Sequence, residues 1–424
     1  MALAWFLMVL MLAPLSLFAA GRQEGAAAEK VTLVIESWRN DDLSIWGDKI
    51  IPAFNKHHPE IEVVFSPTAP AEYNSALNAK LDGGTAGDLI TARPFDASLM
   101  LFQKGFFASL NDLNGMDNFS DVAKSAWITD DGSDVFAVPM ASVIHGFIYN
   151  ADIFNELGLS IPKTEKEFFK VLEAIKKDGK YAPLAMGTAD QWEAATMGFQ
   201  NIGPNFWKGE EGRLALIKGK EKITDPQYVK VWESLAKWRP YLSKGFEAQT
   251  YPDSQNLFTL GRAAIYPAGS WEIAVFNEQA NFKMGAFTPP LPEGATRTYI
   301  SDHTDIALGM NAATEHPKES SIFLEWMTTK EFAELYSNSL PGFFSLSKHQ
   351  IDLKDPLAKE FISWRKSCGL TIRNSYQILS RGEPNMENEL WSVSAQVING
   401  NITPREAAQQ VQKGLEKWYE PMMK

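Results

Sequence analysis

Cysteine is nearly absent from this 424-residue chain: Cys368 is the only one. An internal disulfide and any multi-cysteine metal site are therefore excluded, and the lone thiol reads as a buried small hydrophobe. A basic stripe is also missing. Lys and Arg number 40 against 52 Asp and Glu, for a formal net charge of −12, which argues against a nucleic-acid surface. No Gly-x-Ser-x-Gly elbow, HExxH pair or Walker loop occurs, so the common hydrolase, zinc-protease and nucleotide-binding signatures are absent. His303 and Asp305 have a spacing a metal could use, but no other ligands cluster with them; neither metal nor cofactor is expected. His57 and His58 close a helix beside Pro59 and read as surface residues. No internal repeat or low-complexity segment is visible.

What the chain does have is aromatic surface. Aromatics make up 12% and include 13 Trp, more than core filling needs, and large flat rings also serve as binding faces. The length exceeds one ordinary core, so two domains are expected. Residues 1–20 are apolar apart from Ser16 and the breaker Pro14. Ala19-Ala20-Gly21 follows, the pattern of an export signal cleaved near Gly21 or after Ala26-Ala27-Ala28. A membrane anchor is the rival reading, because the run nearly spans a bilayer; Pro14 and the small residues favour the signal. No Lys or Arg precedes the apolar run, which places the expected start upstream. No Cys lies near the cleavage region, so lipid attachment there is not expected.

Strand and helix patterns alternate along the remainder. Residues 31–37 (VTLVIES) and 61–65 read as buried strands flanking a helix at 43–57, a right-handed parallel crossover. A helix at 73–81, a strand at 88–92 and a helix at 98–105 extend that α/β unit, with ligand loops expected at strand C-termini. Residues 135–159 (VFAVPMASVIHGFIYNADIFNELGL) read as two strands parted by Pro139-Met140-Ala141-Ser142, then a helix capped by Asn150. Beyond it come helices at 164–179, 191–202, 226–241, 255–261, 317–328 and 403–418. Strands are expected at 182–187, 263–266, 282–287 and 305–310. Thr164 with Glu167, and Thr403 with Glu406, form capping boxes. Proline-marked joints recur at 287–292 and 341–345. Three crossings between two units suit a hinge.

These residues carry a resemblance. The chain resembles the extracellular, maltose-binding-like sugar-binding proteins of bacterial ABC importers over about residues 31–420. The likeness rests on Ser37-Trp38-Arg39-Asn40, on 84–89 (GTAGDL), on Val138-Pro139 with 149–154 (YNADIF), and on Gly261-Arg262-Ala263-Ala264-Ile265 before Gly269-Ser270-Trp271. Pro290-Leu291-Pro292 and 402–407 (ITPREA) complete it. The resemblance implies an α/β, two-lobe, type II periplasmic-binding-protein fold with three hinge crossings. Its N-terminal lobe would hold residues 30–140 and 290–342, its C-terminal lobe 143–286 and 346–424, with residues 1–28 as signal and start of a tether. It implies a monomer of the periplasm or outer membrane face that closes over a carbohydrate and delivers it to the importer's membrane subunits.

A sugar offers flat C–H faces and a rim of hydroxyls, so its site needs aromatic platforms and planar polar groups. Trp271, after a strand, is the first candidate and matches the family's stacking Trp. Trp192 lies in a strand-to-helix loop. Trp38, Arg39, Asn40 and Asp41 match the family's first binding loop, and Arg93, Phe95 and Asp96 its polar contacts after the third strand. Asp302 and His303 lead into a later strand. Phe343 and Phe344 are candidate caps for the cleft, and Trp391 is ambiguous between contact and core. Trp46, Trp232, Trp238 and Trp326 fall on apolar helix faces and read as core. Two other functions stay open: an exported carbohydrate-active enzyme, which would need a carboxylate pair at a set separation, and a carrier of a polyamine or peptide. Iron carriers of similar fold show adjacent tyrosines, whereas Tyr149 is followed by Asn150.

Overall fold

A computed structural model describes residues 30–423; the expected export signal lies outside the described residues. Ten strands form one sheet: β1 (Val31–Ser37), β2 (Ile61–Pro67), β3 (Leu89–Ala92), β4 (Val138–Asn150), β5 (Ala182–Leu184), β6 (Ala263–Gly269), β7 (Met284–Phe287), β8 (Tyr299–Met310), β9 (Phe344–Ser345) and β10 (Gly369–Thr371). The order is β2-β1-β3-β8-β4-β6-β5, with β7 and β9 also on β4 and β10 on β8. β1 pairs in parallel with β2, from Val31 opposite Ile61 to Ser37 opposite Pro67, and with β3. The intervening helical segment supplies the crossover that parallel pairing requires.

Two strands tie the sheet together. β4 runs antiparallel to β8 from Val138 opposite Leu308 to Ile144 opposite Asp302. Its second half leaves β8 and pairs with β6, from His145 opposite Gly269 to Tyr149 opposite Ile265. This corrects the expectation of two strands parted by a turn: β4 is a single 13-residue strand. Pro139 has no N–H to give a ladder, and it sits where the register shifts between Pro139 and Ser142; a bulge absorbs the proline without ending the strand. β8 likewise begins at Tyr299 rather than at 305. Asp302 and His303 therefore lie inside a strand, where polar side chains hid the alternation.

The apolar residues gather in two cores. One takes Leu33, Ile35, Trp46, Phe54, Ile90 and Ile144; the other takes Phe147, Phe199, Trp232, Trp238, Leu390 and Val411. Because β4 contributes to both, the cores meet along it. Trp46 lies flat on Phe65, centroids 4.6 Å apart, and Trp232, Trp238 and Trp326 are buried as their helical spacing requires. Cys368 is half-buried and unpaired.

Helix ends follow the caps. The Thr164 hydroxyl accepts from the Glu167 N–H and the Glu167 carboxylate accepts from the Thr164 N–H, opening the helix Glu165–Asp178. Thr403 and Glu406 do the same for Pro404–Leu415. The Asn150 side chain accepts from the N–H groups of Asp152 and Ile153. The helix expected at 255–261 starts earlier, as Tyr251–Thr259. There Pro252 fills the first turn, where a missing N–H costs nothing, and Asp253 accepts from the Thr250 N–H. The helix expected at 43–57 ends at Asn55 and includes one wide turn, Trp46–Ile50. Among the described residues no helix is long and apolar enough to cross a membrane.

Candidate functional site

The C-terminal ends of β1 and β3 and the loops after β5, β6 and β10 converge on a cavity of about 60 Å³. Trp38, Pro70, Arg93 and Asp305 line one wall, and Trp192, Tyr251, Trp271 and Arg373 the other, together with Thr196 and Trp391. Four indoles thus surround a small space that also holds two guanidinium groups and a carboxylate.

Each platform is held from behind. Trp271 follows Gly269-Ser270 at the end of β6, and its ring folds back over Gly269, where an added Cβ would lie 1.8 Å from a ring carbon. Only glycine admits that approach. The Trp271 indole N–H donates to Glu272 Oε1 at 3.0 Å. Tyr251 O–H donates to the same oxygen at 2.9 Å, while Gln255 donates to Oε2 at 3.0 Å. One fully buried carboxyl therefore orients two of the cleft's aromatic walls, and burial pushes its pKa up to about 7. Trp192 packs edge-on against Tyr251, centroids 4.7 Å apart. Opposite, the Arg93 guanidinium lies 4.4 Å above the Trp38 ring and donates to Asn74 Oδ1 at 2.9 Å.

Under the cavity, His145 and His303 approach Nε2 to Nε2 at 3.1 Å, and the Trp271 ring meets His145 edge-on. Burial holds both imidazoles well below their usual pKa, so both are neutral.

Of the expected site residues, the structure brings Trp38, Arg93, Trp192 and Trp271 to the cavity. The others go elsewhere. Arg39 is buried in a bidentate pair with Asp42, at 2.7 and 2.8 Å, and stacks over Phe343. Asn40 is exposed and Asp41 partly so, in the turn Asn40–Asp42; neither lines the cavity. Phe95 is buried against Tyr376, 5.5 Å between centroids. Asp302 is paired with Arg365 at 2.6 and 2.9 Å, and His303 is buried as described. Phe343 and Phe344 are core residues, fully buried.

Asp96 lines a second, larger cavity of about 290 Å³ that shares Arg93, Arg373 and Trp391 with the first. Its carboxylate accepts from Arg381 Nε at 2.7 Å, while the two Nη atoms of Arg381 reach Asp130 at 2.8 Å. Burial nonetheless pushes the Asp96 pKa up to about 6.

Sequence reasoning missed Arg373 and Tyr251 altogether. Arg373 follows the three-residue β10, too short to show periodicity. Tyr251-Pro252 is a legible helix start, and with that start Tyr251 falls at the loop end of the helix, next to the strand termini. Among the described residues no group of three or more His, Cys, Asp or Glu side chains is arranged to hold a metal ion.

Comparison with known proteins bears on the fold and the family. The chain is 25% identical over 299 residues to the multiple sugar-binding protein of Streptococcus mutans, covering 68% of this chain and 69% of that one. Its fold superposes on a chitin oligosaccharide binding protein with a TM-score of 0.78 at 20% identity, covering 92% of this chain and 99% of the other. It superposes on the binding protein RafE in complex with raffinose with a TM-score of 0.75 at 22% identity, covering 93% and 100%. The fold is thus that of the periplasmic sugar-binding proteins. The sequence pattern of the bacterial extracellular solute-binding proteins matches residues 49–348, and the chain belongs to that family.

Proposed function

We propose that this protein captures a carbohydrate in the indole-lined cavity and delivers it to the membrane subunits of an ABC importer after export. The observation that carries this reading is the ring of Trp38, Trp192, Trp271 and Trp391 around Arg93, Asp305 and Arg373. Flat apolar faces beside planar hydrogen-bonding groups are what a pyranose requires. Relatives and structural neighbours named for sugars support it. Residues 30–140 with 290–342 form one lobe, and 143–286 with 346–424 the other. Loops from both wall the cavity, so a ligand that touches both favours closure.

A thermal-shift screen tests the reading, because a ligand that binds only the folded state raises the melting temperature. Raffinose, chitobiose, xylobiose and their longer homologues serve as probes beside spermidine and a tripeptide. At least one sugar is expected to raise the melting temperature by several degrees. A response to spermidine or the tripeptide alone would overturn the assignment, and hydrolysis of the responding sugar on long incubation would make the protein an enzyme.

Closure has its own test at Arg381, whose side chain holds Asp96 and Asp130 across the mouth of the cleft. Asp130 is exposed and Arg381 partly so, so the latch contributes about 1 kcal/mol. Arg381→Ala is expected to speed sugar release about five-fold in stopped-flow fluorescence and to enlarge the sugar-bound particle in solution scattering. Unchanged release with unchanged scattering would remove the latch from the closing mechanism.

A further inference from the structure

We infer that the carbohydrate taken by this cleft carries an anionic group, seated between Arg93 and Arg373 where the two cavities join. The inference rests on reading the cleft as a sugar site and names the class of sugar. Both arginines line both cavities, so they stand where the indole-walled space meets the larger one.

Neither cation has a close bidentate carboxylate of its own, although the Asp305 charge acts on both. Among the described residues Arg93 has no carboxylate within ion-pair distance: its Nε goes to Asn74 and its Nη2 to the Pro70 carbonyl at 3.4 Å, both neutral acceptors, and its Nη1 has none. Burial pulls its pKa down, and the Asp305 charge offsets only part of that. Arg373 is only 9% exposed, yet its Nε has no partner. Its one carboxylate contact is a long 3.4 Å bond from Nη1 to Glu387, and that carboxylate is already engaged by Ser375 and by the Trp391 indole. Asp305 is the carboxylate that lines the indole-walled cavity, where it faces both guanidinium groups.

Other buried cations of this fold have close bidentate partners: Arg39 has Asp42 and Arg213 has Glu210, each within 2.8 Å. A buried charge left without such a partner is costly unless a ligand supplies it. A carboxylate or sulfate offers the planar or forked acceptors that two guanidinium groups match.

Titration calorimetry on the full mature chain tests this with trigalacturonate, with its fully methyl-esterified form, which keeps the shape and loses the charge, with a sulfated carrageenan disaccharide, and with the neutral sugars above. The free acid or the sulfated sugar is expected to bind at least about 30-fold tighter than any neutral probe, with affinity falling as salt rises. Which of the two binds identifies the anion. Arg373→Gln is expected to cost the anionic probe at least ten-fold more than the best neutral one. If that variant fails to fold by circular dichroism, Arg93→Gln, at the partly exposed wall, carries the same comparison. A neutral sugar binding as tightly as the anionic probes would overturn the inference and leave the sugar-binding reading standing; no binding by any sugar would overturn both.

Discussion

Replacing Trp271 with alanine is expected to weaken binding of the sugar that gives the largest thermal shift about 30-fold. The indole is 7% exposed, and what remains open faces the cavity, so a bound sugar removes the last of its apolar surface from water. Losing one stacked face costs about 2 kcal/mol, which is the stated factor. The loss is not confined to stacking, because the indole N–H also holds Glu272 Oε1. Trp271→Phe separates the two contributions. It keeps an aromatic face over Gly269 and removes the donor, so affinity should fall only a few-fold. Stability should drop by about 1 kcal/mol, the worth of one buried hydrogen bond whose acceptor retains another donor in Tyr251. Calorimetric titration beside thermal unfolding measures both. Unchanged affinity in a folded Trp271→Ala protein would remove Trp271 from the site.

How much of this was legible in the sequence follows from how far each signal reaches. The capping boxes at Thr164 and Thr403 and the indoles on helix faces depend on residues within one or two turns, and the structure reproduces them. Trp38, Arg93 and Trp271 reach the cavity because each follows a strand, which is legible locally, and strand C-termini converge in α/β sheets. Failures arose where a distant partner decides. Arg39 and Arg93 occupy equivalent places after β1 and β3, yet Asp42 captures Arg39 within its own turn while Arg93 keeps only neutral acceptors. Asp302 looked like a cleft residue until Arg365, from a segment 63 positions away, proved to hold it. Pro139 looked like the end of a strand, but the pairing of β4 with β8 on both sides of it carries the strand through. Nothing local marks Arg373, whose role is fixed by what it faces.

A large pH effect is expected at Glu272, which carries no contact to the cavity and acts through the rings it orients. Its carboxyl meets Trp271, Tyr251, Gln255 and, at 3.4 Å, Tyr266. The charges of Asp41, Arg39 and nearby Glu193 also bear on it. Burial raises its pKa to about 7 in the folded protein, against about 4.3 in the unfolded chain. Below pH 4 both states are protonated and nothing is lost. As pH rises through that interval the unfolded chain releases its proton first, so stability falls, and it levels off above 7 once the folded carboxyl has ionised too. The full loss is about 4 kcal/mol. Asp96, raised to about 6, and Glu193, held well above the usual carboxylate range by burial, add in the same direction. His145 and His303 oppose it, since their depressed pKa values cost stability as pH falls below about 6.5. Wild type alone would therefore show a blunted profile. Glu272→Gln isolates the group: its amide oxygen still accepts from Trp271 and Tyr251, Gln255 turning its amide over to meet the new N–H₂, and it cannot ionise. The difference in unfolding free energy, wild type minus variant, should fall by about 3 kcal/mol between pH 4.5 and 7.5 in urea titrations. A flat difference would mean that Glu272 ionises as readily inside the fold as outside it. The two aromatic walls would then be held by a permanent carboxylate, and sugar affinity would not follow its titration.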